Sequence, residues 1–196
     1  MIEQTIRPLY QRLLVDPPAK WMSPFVSPDH VTLLSGVLGM LVLPAMLLGW
    51  VNASILLLLL SGYCDTLDGT IARIRQHSTE WGSVLDIFVD RLVEFSVIFS
   101  LWVIAPQERA LWTILMLGMV LLCITSFLVV GIFSENNSNK SFHYSPGLME
   151  RAEAFIFFIA MMLWPGVFSQ LAALFCLLVA WTTLIRLREF YQQLES

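Results

Sequence analysis

Apolar residues in this chain gather into six runs, near 31–51, 53–73, 83–105, 110–133, 149–164 and 167–189, separated by short polar stretches. A helix needs about 20 mostly apolar residues to cross a bilayer, so the pattern predicts an all-α integral membrane protein with six transmembrane helices. Ahead of the first run the pattern changes. Ile6, Leu9, Tyr10, Leu13 and Leu14 share one helical face, with Gln4, Arg7, Gln11 and Arg12 elsewhere, as expected of an N-terminal helix lying on a membrane surface. Pro8 suits the opening of such a helix and would break its middle. The expected organisation is a cytosolic amphipathic juxtamembrane segment over 1–30 and a six-helix domain over 31–196. The first long run begins later than the apolar core of a cleaved signal peptide.

Basic residues set the orientation. Arg7, Arg12 and Lys20 precede the first run, Arg73 and Arg75 join the second to the third, Lys140 and Arg151 join the fourth to the fifth, and Arg186 and Arg188 end the sixth. Only Arg109 falls on the other side. The positive-inside rule then places both termini and the polar loops in the cytosol, with Trp50, Trp102, Trp112 and Trp164 as anchors near the outer boundary. Ser35, Gly36 and Gly39 in the first run read as helix-packing positions.

Composition agrees: 57% of the residues are hydrophobic and 13% charged, with mean hydropathy +0.74, whereas soluble domains carry roughly a quarter charged residues. Eleven Lys and Arg against fifteen Asp and Glu leave a formal charge of −4, which excludes the concentrated basic surface that nucleic-acid binding needs. Cys64, Cys123 and Cys176 stand singly in apolar runs and read as packing residues.

The acidic residues carry the chemistry. Asp65 and Asp68 close the second run, and Asp86 and Asp90 open the third. Each carboxylate costs roughly 2.5 to 3.5 kcal/mol at a bilayer centre, so four uncompensated ones would cost on the order of 10 kcal/mol. Spacings of three and four put each pair on one helical face. At about 1.5 Å per residue both pairs reach similar depth near the cytosolic boundary, with Asp90 one turn deeper than Asp86. Arg73 and Arg91 are too few to balance them, whereas one or two divalent ions of the Mg²⁺ type, which favour hard oxygen ligands, would do so and create chemistry. No His or Cys accompanies the cluster, which argues against structural zinc. Gly69, Ala72 and Gly82 fall on the same stripes and leave room for a bulky ligand.

Read as one string, Asp65-x-x-Asp68-Gly69-x-x-Ala72-Arg73, eight residues, then Gly82-x-x-x-Asp86-x-x-x-Asp90 resembles the signature of the CDP-alcohol phosphotransferase (CDP-alcohol phosphatidyltransferase) family at every defined position. Pro28-Asp29-His30-Val31-Thr32 stands where that family usually has Pro-Asn-x-hydrophobic-Thr, with Asp29 as the departure. The resemblance implies transfer of a phospho-alcohol from a CDP-linked lipid to a hydroxyl acceptor with release of CMP. It implies that Asp65, Asp68 and Asp86 hold two Mg²⁺ or Mn²⁺ ions, and that Asp90, counted on the metal side as well, is the base. Asp65, Asp68, Gly69, Ala72, Arg73, Gly82 and Thr32 would line the CDP donor site. A homodimer is expected on the same ground.

Outside the signature, Glu94 and Arg91 read as a structural ion pair, and His77, His143 and Tyr144 as ordinary loop residues. Asn136 and Asn139 match the glycosylation acceptor pattern by coincidence on a cytosolic loop. Lys140, Arg151 and Arg186 could form a basic wall for an acceptor head group such as glycerol 3-phosphate or an inositol phosphate. The expectation is a phospholipid synthase of a prokaryotic inner (plasma) membrane, using CDP-diacylglycerol and a polar alcohol. Two competitors remain. An aminoalcohol phosphotransferase joining CDP-choline or CDP-ethanolamine to diacylglycerol is disfavoured by the short chain and basic second half. A small divalent-cation transporter would also place carboxylates in a membrane.

Overall fold

In the computed structural model the described residues are 9–76, 79–133 and 149–194. Every regular element among them is helical, and the chain divides into two compact units, Met1–Ala105 and Pro106–Ser196. The first unit holds a π-helical turn (Gln11–Val15), α1 (Asp16–Met22), α2 (Pro28–Met40), α3 (Val42–Leu47), α4 (Val51–Ile74) and α5 (Glu80–Val103). The second holds α6 (Pro106–Phe133), α7 (Arg151–Leu163) and α8 (Phe168–Leu194). Gln4, Ile6, Arg7, Pro8, His77, Asn136, Asn139, Lys140, His143 and Tyr144 lie outside the described residues.

From Leu9 onward the juxtamembrane segment is helical, as its amphipathic pattern predicts, and the helix continues through Pro17 and Pro18 to Met22. These prolines have no N–H, so the carbonyls four residues back, on Leu13 and Leu14, lose their helical donors. The backbone widens instead: Asp16 N–H bonds to the Gln11 carbonyl, five residues earlier. The Tyr63 hydroxyl of α4 then donates to the Leu14 carbonyl at 3.0 Å. Val15 and Ala19 dock the segment in one buried cluster with Cys64, Leu67 and Ile71 of α4. Cys64 is thus a packing residue. Leu9, Leu13 and Leu14 are exposed, as are Trp21 at 74% and Phe25 at 79%, so the leucine face is not the one that holds the helix to the fold.

The first predicted span is two helices rather than one. Pro44 offers no N–H to the Met40 carbonyl, and the helix breaks at Leu41 between α2 and α3. After α3 the chain reverses at Gly49, whose φ of 73° is open to glycine. Gly49 N–H bonds to Met46 O and Trp50 N–H to Ala45 O, at 3.0 and 2.9 Å, capping the last carbonyls of α3.

Among the described residues four stretches are long and apolar enough to cross a membrane: Pro28–Leu47, Val51–Ile74, Pro106–Phe133 and Pro165–Leu194. They make this a multi-pass membrane protein. Helix α5 has 24 residues, yet Asp90, Arg91 and Glu94 fall in every 18-residue stretch of it. Helix α7 has 13 residues and spans about 20 Å against a hydrocarbon core of about 30 Å. The predicted six spans therefore exceed the four that length and composition identify.

Small residues bring α2 against its neighbours. A Cβ on Gly36 would stand 3.1 Å from Val89 Cγ1, and one on Gly39 would stand 2.7 Å from Val93 Cγ1, both on α5. Ser35 donates to the Ser61 carbonyl of α4 at 2.8 Å. These are the helix contacts that the spacing of Ser35, Gly36 and Gly39 predicts. In the second unit α6 and α7 both pack on α8. Phe158 meets Phe175 with ring centroids 5.6 Å apart, and the buried Arg109 guanidinium lies 4.3 Å from the Phe168 ring centre. Trp50 and Trp164, just outside helices, are exposed.

Candidate metal and donor site

Local sequence aims the site residues. Ser27 is extended, with ψ of 148°, and α2 begins at Pro28, whose missing N–H costs nothing in a first turn. That start, three residues earlier than the apolar pattern predicts, puts Thr32 in the second turn. Thr32 and Asp68 are both buried, and the Thr32 hydroxyl donates to Asp68 Oδ2 at 2.5 Å. On α5, the Thr79 side chain accepts the Gly82 N–H at 2.9 Å and caps the helix, which starts at Glu80. Gly82 is closely walled: a Cβ there would stand 3.1 Å from Thr79 Oγ1 and 3.5 Å from Asp29 Oδ1. Asp29, noted in the sequence only as a departure from a pattern, therefore borders the glycine that leaves room in this wall.

Three of the four aspartates meet. Carboxylate oxygens of Asp65, Asp68 and Asp86 lie within 4.8 Å of one another. Asp68 is 5% exposed and the other two are partly buried. Two unit charges at 4.8 Å repel by roughly 3 to 4 kcal/mol at an effective dielectric near 20. Hard, anionic oxygen donors gathered this closely suit a divalent cation. Asp90, one turn further along α5, stands outside this group, with Oδ2 3.9 Å from Arg91 Nη2. Arg91 Nη1 binds Glu94 at 2.5 Å, the ion pair that the spacing predicts.

Gly69 and Ala72 continue the stripe of α4, and Arg73 folds back along it. Its Nη2 donates to Thr70 Oγ1 at 2.9 Å, and its Nη1 lies 3.9 Å from where a Cβ on Gly69 would stand. Sequence spacing missed Thr70 and its second partner, Gln11, whose Nε2 donates to the same hydroxyl at 2.8 Å. A contact between residues 59 positions apart leaves no periodic trace.

Of the predicted acceptor residues, Arg151 and Arg186 belong to the second unit. Arg186 Nη1 donates to the Cys123 carbonyl at 2.9 Å and to Ser126 Oγ at 3.2 Å, and its guanidinium lies 5.3 Å from the Phe127 ring centre. Arg151 lies 5.3 Å from the Phe155 ring centre.

Comparison with known proteins gives a consistent picture. The family model for CDP-alcohol phosphatidyltransferase matches residues 25–186. The chain is 32% identical over 203 residues to inner membrane protein YnjF of Escherichia coli, covering 100% of this chain and 98% of that one. It is 28% identical over 156 residues to a phosphatidylinositol phosphate synthase of Corynebacterium glutamicum, covering 74% and 67% of the two chains. Among solved structures, the phosphatidylinositol phosphate synthase of Mycobacterium tuberculosis with CDP-DAG bound matches with a TM-score of 0.75 at 23% identity, covering 89% of this chain and 92% of that one. The same enzyme in complex with manganese and citrate matches at 0.74 and 23%, covering 89% and 88%. At that identity the structural likeness speaks for the fold.

Proposed function

This chain belongs to the CDP-alcohol phosphatidyltransferase family, and from that premise we propose that it is a divalent-metal-dependent phospholipid synthase. It moves the phosphatidyl group of CDP-diacylglycerol onto a hydroxyl of a polar alcohol and releases CMP. The observation that carries this reading is the meeting of the Asp65, Asp68 and Asp86 carboxylates of α4 and α5 within 4.8 Å.

Asp65, Asp68 and Asp86 would hold two Mg²⁺ or Mn²⁺ ions, which would supply positive charge for the donor diphosphate and the departing CMP. Thr32 holds the Asp68 carboxylate in one orientation through its hydroxyl. Gly69, Ala72 and Gly82 leave space for the cytidine, and Arg73 binds the diphosphate through its unspent guanidinium donors. Asp90 takes the proton of the acceptor hydroxyl as that oxygen bonds to the lipid-side phosphorus and the bond to the CMP oxygen breaks. Lys140, Arg151 and Arg186 give the second unit the charge to hold an acceptor phosphate. The phosphatidylinositol phosphate synthase among the relatives supports an inositol phosphate acceptor, and glycerol 3-phosphate fits the same chemistry. In this reading the aspartates face the cytosol, and the molecule works as a homodimer in an inner membrane.

Purified protein incubated with CDP-diacylglycerol and a panel of water-soluble alcohols, with products read by lipid mass spectrometry, tests the proposal. One alcohol is expected to yield a phospholipid with equimolar CMP, and EDTA to abolish both. CMP release that survives EDTA removes the metal from the reading. Failure with every alcohol removes the synthase.

A further inference from the structure

A cavity of about 480 Å³ opens between the juxtamembrane segment and the end of α4, lined by Gln11, Asp16, Lys20, Thr70, Arg73 and Ile74. Thr70 is buried at its wall. The Thr70 hydroxyl donates its proton to the Thr66 carbonyl at 2.8 Å, and it accepts from Gln11 Nε2 at 2.8 Å and from Arg73 Nη2 at 2.9 Å. One proton and two lone pairs are all that a hydroxyl has. Gln11 Nε2 spends its other hydrogen on Asp16 Oδ1 at 2.8 Å. This chain of bonds therefore has a single donor direction, from Gln11 and Arg73 into Thr70 and from Thr70 into α4.

The network fixes a side chain that would otherwise move. Arg73 is exposed near the end of a helix, where a long side chain samples many rotamers. The bond to Thr70 selects one in which Nη1 lies over Gly69, on the stripe of Asp65 and Ala72. Gln11 occupies the other lone pair of Thr70 and blocks alternative rotations of that hydroxyl.

We propose that Thr70 and Gln11 are positioning residues that aim the Arg73 guanidinium at the donor diphosphate, making the juxtamembrane segment a working part of the donor site. The inference rests on the donor role given to Arg73 above.

Thr70→Val keeps the side-chain shape and deletes the hydroxyl, Thr70→Ser restores it, and Gln11→Met removes the amide donor. The probe is CDP, titrated into each protein by calorimetry with Mn²⁺ present, alongside kcat and KM for CDP-diacylglycerol and the melting temperature. Thr70→Val is expected to weaken CDP binding and raise the donor KM by about 10-fold, the scale of one charge-assisted hydrogen bond, with kcat within about twofold. Thr70→Ser should match the wild type, and Gln11→Met should lose about threefold. Unchanged CDP affinity in Thr70→Val overturns the proposal, as does an equal loss in Thr70→Val and Thr70→Ser with a parallel fall in melting temperature. If the wild type binds CDP but releases no CMP from CDP-diacylglycerol, the synthase reading fails while the CDP titrations still decide the positioning role. A wild type that does not bind CDP with Mn²⁺ overturns both.

Discussion

Asp68 on α4 and Asp90 on α5 share a residue type, yet their surroundings differ. Asp68 is buried, receives the Thr32 hydroxyl and belongs to the three-carboxylate group. Asp90 lies outside that group, near Arg91. The two asparagine variants are therefore expected to separate binding from chemistry. Asp68→Asn removes a charged metal ligand, and turnover should fall about 10³-fold or more, in line with several kcal/mol of charge stabilisation. Bound Mn²⁺, read by electron paramagnetic resonance, should be lost with it. Asp90→Asn should keep Mn²⁺ and donor affinity while turnover falls roughly 10²- to 10⁴-fold, the usual range for a general base. Loss of Mn²⁺ in Asp90→Asn would move that residue among the metal ligands.

At the scale of elements, the site depends on how closely α2 lies against α5. Gly39 and Val93 set that distance: an added Cβ would meet both Val93 methyl groups, and a valine in a helix has one strongly preferred rotamer. Gly39→Ala is expected to destabilise by about 1 to 3 kcal/mol through overpacking, even though alanine favours helix. Val93→Ala should recover most of the loss when combined with it, because the methyl groups in the way are gone. Thermal unfolding of the single and double variants in detergent measures the coupling; additive losses would mean that the close approach does not hold α2 in place. The juxtamembrane segment shows the same dependence on neighbours, since Tyr63 supplies the donor that Pro18 withholds from Leu14.

For the whole molecule, the product is set by which alcohol enters. Arg151, at the start of α7, is one of the described residues on which the proposed acceptor charge can be tested. Arg151→Ala is expected to raise the KM of a phosphorylated acceptor by about 10- to 150-fold, the equivalent of roughly 1.5 to 3 kcal/mol for a charge-assisted contact. The CDP-diacylglycerol KM should stay nearly constant. Arg151→Lys should recover only part, since the charge remains but the planar fork is lost. Equal changes in both KM values would leave Arg151 as a residue of packing and topology.

Local order along the chain is what the sequence alone determines here: helices through the described residues, a helical segment ahead of the first apolar run, and two aspartate pairs spaced to share helical faces. Helical periodicity is a property of neighbouring residues, so it survives without knowledge of the fold. The same logic made Gly36, Gly39 and the Arg91–Glu94 pair legible. Tertiary structure decided which faces meet. It brought Asp86 to Asp65 and Asp68 without Asp90, seated Thr32 on Asp68 across 36 positions, and joined Gln11 to Thr70 across 59. It also split the first apolar run at Leu41 and docked the juxtamembrane segment through Val15 and Ala19 rather than its leucines. Such pairings depend on volumes, orphaned carbonyls and side-chain reach between distant segments, and a one-dimensional pattern of polar and apolar positions does not encode them.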